Sequence, residues 1–167
     1  IELERGKVLR IIIKTSRPGL IIGRSGEGST KLRNSIAKFL SSKKLSVPEI
    51  KLDIEEIRSP ESNAAIVSYM VAESLEKRLP FRRVLKQTIE KVMANRDVKG
   101  VRITLSGMLG GGSMSRTETL KKGRVPLQTI RADVDFHKER ANLPLGVIGI
   151  KVWVYKGDVF SKADKDK

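Results

Sequence analysis

Two glycines in the run Ile21-Ile22-Gly23-Arg24-Ser25-Gly26-Glu27 constrain this chain more than any other stretch. The run follows an apolar, strand-like segment at residues 8–13 and a turn expected at Arg17-Pro18-Gly19. It opens into a helix-like segment at residues 28–40, where Leu32, Ile36, Phe39 and Leu40 recur on one face. Glycine lacks the Cβ that would hold a sugar-phosphate backbone away from the main chain. Arg24 adds charge, and the start of the following helix offers free N–H groups and the positive end of a dipole. The ligand this arrangement suits is a polymer of phosphates.

A strand, an I-x-G-x-x-G loop and a helix in that order resemble the loop of a KH domain. Such loops clamp about four backbone nucleotides while bases are read beside them. Rival glycine-rich loops fail on spacing. A phosphate-binding P-loop needs G-x-x-x-x-G-K-[ST]; Gly23 and Gly28 are correctly separated, but Ser29 stands where the lysine must be. A dinucleotide fingerprint fails because Gly26-x-Gly28 is followed by Lys31 where a third glycine belongs. The plain alternative is a tight turn with no ligand. The strand-loop-helix setting and the charge of the chain favour the KH reading.

That charge is large. Lys and Arg number 34 against 19 Asp and Glu, a formal net charge of +15 over 167 residues. A compact fold tolerates such self-repulsion poorly unless a polyanion neutralises it. Nucleic acid is therefore the leading partner, with an anionic membrane second. The chain has no cysteine and one histidine, His137, which excludes disulfides, thiolate metal sites and histidine clusters. No cofactor and no enzymatic activity are expected. The sequence shows neither a transmembrane run nor a signal peptide, and no membrane partner is expected. The chain starts at Ile1 rather than methionine, so an upstream segment is expected to be missing or processed.

Periodicity then organises the chain. Ile50, Leu52 and Ile54 alternate with Lys51, Asp53 and Glu55, a strand after the connection marked by Lys43, Lys44 and Pro48. Residues 63–79 read as a helix whose Ile66, Tyr69, Met70, Val71 and Leu75 should pack on a sheet. This order suits a type II KH domain over residues 1–78, with that helix completing it. Pro80 marks the boundary, and Phe81, Val84, Leu85, Ile89, Val92 and Met93 open a second domain at helical spacing. Val101, Ile103 and Leu105 form a strand, followed by the glycine-rich, flexible stretch at residues 107–112. Ile130, Ala132, Val134 and Phe136 oppose Arg131, Asp133, Asp135 and His137 on a further strand, and residues 147–155 make a last one. The fold class is α+β: a KH domain, then a second small α+β domain at residues 79–158 with helices packed on a sheet. A disordered tail is expected at residues 159–167.

Nearly the whole chain resembles the small-subunit ribosomal protein S3 family, in its bacterial or organellar form. The resemblance rests on Arg17-Pro18-Gly19-Leu20-Ile21-Ile22-Gly23-Arg24-Ser25-Gly26 and on Leu79-Pro80-Phe81-Arg82-Arg83. More specific are Arg116-Thr117-Glu118, Gly123-Arg124-Val125-Pro126-Leu127-Gln128-Thr129-Ile130-Arg131-Ala132-Asp133-Val134-Asp135, and Gly146-Val147-Ile148-Gly149-Ile150-Lys151-Val152-Trp153-Val154-Tyr155-Lys156-Gly157. The resemblance implies a structural constituent of the head of the small ribosomal subunit. It implies binding to small-subunit rRNA, to mRNA and to neighbouring ribosomal proteins, on cytoplasmic ribosomes or those of an organelle. It also implies a place along the channel through which mRNA enters, where basic residues help hold and unwind the message. Met108 stands where the family has arginine, Thr119-Leu120 replaces an aromatic pair, and an additional basic N-terminal segment is expected but absent.

The candidate RNA-binding loop is Gly23, Arg24, Ser25 and Gly26, and the candidate mRNA- or rRNA-binding segment is Arg116, Lys121, Lys122 and Arg124. Arg82, Arg83, Arg102 and Arg131 are further candidate RNA contacts. With aromatics at 4%, an extended stacking platform is not expected, and Phe136, Trp153 and Tyr155 are assigned mostly to core or protein contacts. Asp133 and Asp135 sit two apart, as catalytic carboxylates might, but Arg131 beside them makes ion pairing the simpler account. His137 is expected to be an exposed strand residue rather than a catalyst. A free-standing KH regulator and a nucleic-acid enzyme are the alternatives to the ribosomal reading; the second-domain blocks argue against the first, and no motif supports the second.

Overall fold

The computed structural model describes residues 2–5, 8–43 and 49–160, with side chains described from residue 9 onward. It divides into two compact units, Ile1–Arg58 and Ser59–Lys167.

In the first unit, β1 (Glu2–Arg5) and β2 (Val8–Thr15) pair antiparallel, and β2 pairs parallel with β3 (Glu49–Glu56). A parallel pair needs a long crossover, here supplied by α1 (Pro18–Ile22) and α2 (Glu27–Ser42). Pro18 starts α1, where its fixed φ and missing N–H cost nothing; a short helix thus replaces the expected turn. Ile50 is buried, and Leu52 and Ile54 are partly buried, as their alternation requires. Ile11 and Ile12 are both buried, so β2 is covered on both faces. On α2, Leu32, Ile36 and Leu40 are partly buried, but Phe39 stands 62% exposed with Lys43 over its ring. The connection at residues 44–48 lies outside the described residues.

In the second unit, β4 (Gly100–Gly107), β5 (Arg116–Gly123), β6 (Ala132–Leu143) and β7 (Gly146–Asp158) form an antiparallel sheet in the order β5-β4-β7-β6. Helices α3 (Ala64–Glu76) and α4 (Phe81–Met93) supply the other side of the core. Val101, Ile103 and Leu105 of β4 and Ile150, Val152 and Val154 of β7 share one core with Val84, Leu85, Ile89 and Val92 of α4, the stripe read from the sequence. Helix α4 lies against β4 and β5, and α3 against β6 and β7.

The helix expected to complete the first domain belongs to this core. Ala64, Val67, Val71, Ala72 and Leu75 recur at helical spacing and pack with β6 and β7. The compact units therefore divide at residues 58/59, not 78/79. Small residues decide which face is buried: Tyr69, expected inside, is 64% exposed, and Ile66 and Met70 are only partly covered. The glycine-rich stretch is pinned by Leu109, 2% exposed. Thr119 and Leu120, substitutes for an aromatic pair, fit the sheet: Thr119 Oγ1 lies 3.0 Å from Thr104 Oγ1, and Leu120 packs on the core. Of the expected tail, the Val159 amide donates to Arg131 O at 2.8 Å; residues 161–167 lie outside the described residues.

Candidate nucleic-acid interface

The G-x-x-G loop is a chain of left-handed backbone positions between two helices. Gly23 has φ +70°, Ser25 +54° and Gly26 +79°. Gly23 closes α1 by donating its amide to Gly19 O at 3.0 Å, and Arg24–Gly26 make a single 3-10 turn into α2. A side chain at Gly23 would be strained by φ and would meet Gly28 N at 3.1 Å. At Gly26 the nearest atom to an added Cβ is Ser29 Oγ at 3.9 Å, so only the backbone conformation demands glycine there.

Arg24 and Ser25 are exposed. No side chain caps the N-terminus of α2; the hydroxyls of Ser29 and Thr30 instead donate back to Gly26 O, at 2.8 and 3.2 Å. The Glu27 amide closes the preceding turn on Arg24 O, the next amides of the first turn have no side-chain cap, and the dipole there favours an anionic acceptor. Between α2 and β3 an open groove of about 410 Å³ runs past Ser29, Thr30 and Arg33 on one side and Glu49, Ile50, Lys51, Leu52 and Asp53 on the other. One wall is polar and cationic and the other mixes Ile50 and Leu52 with Glu49, Lys51 and Asp53, so the cations of Arg33 and Lys51 are the groove's candidate phosphate-binding groups.

Sequence reading missed the residue that holds the loop. An added Cβ on Gly28 would lie 2.4 Å from Ile21 O and 2.9 Å from Ile22 O. The first turn of α2 can therefore rest on the end of α1 only because residue 28 has no side chain.

In the second unit, β5 is an edge strand, and Arg116, Lys121, Lys122 and Arg124 are all exposed. They do not share one face. Lys121 pairs with Arg102 and Lys122 with Val101 in register, so the two lysines project to opposite sides. Arg116 lies over the Phe81 ring at 5.4 Å, and Arg82 lies over the same ring at 5.6 Å. Phe81 thus joins the start of β5 to the start of α4, where Arg83 and Lys86 are also exposed. Met108 is 38% exposed, near Gly146.

Arg131 is otherwise occupied: it pairs with Asp158 at 3.5 Å and lies over Phe160. A β-bulge between Asp133 and Val134 breaks the alternation that would put Asp133 and Asp135 together. Asp135 accepts from the Ala64 amide at 2.9 Å and faces Lys156 at 3.7 Å, so its partners are not the ones expected. His137 is partly buried, with Nδ1 2.8 Å from Ser68 Oγ. Tyr155, 4% exposed, donates to Asp158 Oδ1 at 2.7 Å; that hydrogen bond, then burial and the Asp158 charge, raise its pKa above the ordinary tyrosine value. Among the described residues no group of three or more His, Cys, Asp or Glu could hold a metal ion, and no helix is long and apolar enough to cross a membrane.

Two family models match the chain: a KH domain over residues 1–62, and the C-terminal domain of ribosomal protein S3 over residues 71–154. The small ribosomal subunit protein uS3 of Endomicrobium trichonymphae is 46% identical over 167 residues, covering 99% of this chain and 69% of that protein. The uS3 proteins of Caldicellulosiruptor saccharolyticus and Clostridium botulinum (strain Okra / Type B1) are 44% and 43% identical, each over 95% of this chain and 69% of the relative. With its KH loop intact and its second unit matched, the chain belongs to the small ribosomal subunit protein uS3 family.

Proposed function

We propose that the chain is a structural constituent of the small ribosomal subunit, working in the cytoplasm, which binds small-subunit rRNA and neighbouring ribosomal proteins and lines the path by which mRNA enters. The observation that carries the RNA-binding part is the loop itself: glycines at left-handed positions lead into a helix whose first amides no side chain caps, with Arg24 exposed beside them. Backbone phosphates match that set of donors, and the neighbouring groove leaves room for unpaired bases.

The mRNA part is supported by the second unit. Arg82 on α4 and Arg116 on β5 are exposed and share the Phe81 ring, and Arg83 and Lys86 are exposed on the same helix. Lys121, Lys122 and Arg124 continue the positive edge. Cations of this kind position a phosphate backbone without reading sequence. They would hold a single strand and so favour its separation from a hairpin.

Binding of a labelled small-subunit rRNA fragment, followed by anisotropy against salt, tests the loop. Gly23→Asp with Gly26→Asp should weaken binding by strain and charge; unchanged affinity would remove the loop from the interface. Initiation on structured and unstructured messages tests the rest. Replacing Arg82, Arg83, Arg116, Lys121, Lys122 and Arg124 by Ala should depress structured messages more, and an equal loss on both would point to assembly damage instead.

A further inference from the structure

The sheet of the second unit has a face turned away from α3 and α4, and its chemistry is not used by the loop or by the Phe81 cluster. Val101, Ile103, Leu105, Ile150, Val152 and Val154 point to the helices; their alternating neighbours point the other way. Register sets Lys121, Arg102, Trp153 and Phe136 in one row across all four strands, and places Lys151 beside Lys138 in the next. Phe136, assigned from the sequence to core or protein contact, is 48% exposed. Its ring lies 5.1 Å from that of Trp153, and the Arg102 guanidinium lies 5.1 Å over the Trp153 ring.

The outward positions around this row, Thr119, Lys121, Arg102, Thr104, Lys151, Trp153, Phe136 and Lys138, include no Asp or Glu. The carboxylate at the margin of the face, Asp158, is engaged by the Tyr155 hydroxyl and Arg131. Lys121, Lys138 and Lys151 are exposed and make no ion pair among the described residues. The Arg102 Nε is buried with no hydrogen-bond partner among the described residues, and the guanidinium stacks on Trp153.

We propose that this row is a stacking platform for single-stranded RNA. An unpaired base lies on Phe136 and the Arg102 guanidinium plane, and Lys121, Lys138 and Lys151 take the flanking phosphates. Aromatic rings and guanidinium planes both stack with bases, and only unpaired bases can reach them. A protein partner fits less well, because lysine is depleted in protein interfaces and the one carboxylate at the margin of this face, Asp158, is already engaged by Tyr155 and Arg131. The surface lies in the other unit from the G-x-x-G loop and is a second contact with RNA.

Trp153 is the one tryptophan of the chain, so its emission reports on this row alone. The full chain is titrated with a labelled oligoadenylate, following label anisotropy and Trp153 emission together. The expected result is a change in Trp153 emission that tracks binding. Phe136→Ala should weaken binding roughly tenfold, the scale of one lost base stack. Lys138→Glu with Lys151→Glu, both exposed and away from the core, should do the same without altering the unfolding midpoint. The Gly23→Asp, Gly26→Asp variant should keep the emission change. RNA binding with unchanged Trp153 emission would overturn the platform and leave the loop standing. An emission change produced by a neighbouring ribosomal protein but not by RNA would overturn it in favour of a protein-docking face. No binding by either signal would overturn both RNA contacts.

Discussion

The Asp135 carboxylate accepts a hydrogen bond from the Ala64 amide at 2.9 Å, tying the first turn of α3 to β6. Asn63 caps the same helix end, its Oδ1 accepting from the amides of Ala65 and Ile66 at 3.0 and 3.4 Å. A carboxylate at a helix N-terminus is favoured by the dipole as well as by the hydrogen bond. Asp135→Ala should therefore cost about 1–2 kcal/mol, the range for a lost cap. Lys156→Ala removes only the 3.7 Å ion pair to the same carboxylate and should cost little. Chemical denaturation of the two variants measures the difference; equal losses would show that the ion pair, not the cap, holds Asp135.

Gly28→Ala should damage the loop from behind. The new Cβ would fall 2.4 Å from Ile21 O, a backbone atom that cannot swing aside. Overpacking of this kind costs about 1–3 kcal/mol, and here it must part α1 from α2. RNA affinity should fall although residue 28 makes no outward contact. An alanine variant with native stability and native affinity would show that the two helices need not meet so closely.

Tyr155 should give the second unit a loss of stability at high pH. Its hydroxyl is held protonated by the hydrogen bond to Asp158, then by burial and the Asp158 charge, against the opposing charges of Arg124 and Arg131. The folded state thus binds this proton more tightly than the unfolded state. The resulting stabilisation is present below the unfolded tyrosine value near 10 and is lost as pH rises through the higher folded one. Asp158→Asn should lower the phenol's pKa, read by ultraviolet absorbance in a Tyr69→Phe background where Tyr155 is the one tyrosine left. An unmoved titration would mean that Asp158 is not the cause.

The regular parts of this fold were legible from residue pattern. The stripe of α4 and the alternation of β4 were read correctly because each buries one continuous apolar face, and β3 was read correctly as a strand although only Ile50 of it is buried. Reading failed where small or polar residues do the packing. Helix α3 buries Ala64, Val67 and Ala72 while leaving Tyr69 outside, so size misdirected the assignment and the domain boundary with it. On β6, Asp135 and His137 face the helices through hydrogen bonds to Ala64 and Ser68, while Phe136 faces out. Hydropathy predicts the reverse, because it cannot foresee a buried polar partner from another element.

The loop divides in the same way. Gly23 and Gly26 announced themselves by spacing, and both have the positive φ that demands glycine. Gly28 carries no such signal, since its requirement comes from carbonyls brought close only by the fold. The four cations at residues 116–124 read as one patch along the sequence, but a strand sends neighbours to opposite faces. Arg82 and Arg116 meet instead at Phe81, a pairing that sequence distance concealed.

The most direct test of the account is sedimentation of the tagged chain in cell lysate at moderate and high salt. The ribosomal reading predicts stable co-migration with small subunits at both, with the Gly23→Asp, Gly26→Asp variant released more readily as salt rises. Migration alone, or with light RNA, would contradict it and return the chain to the class of free RNA-binding regulators.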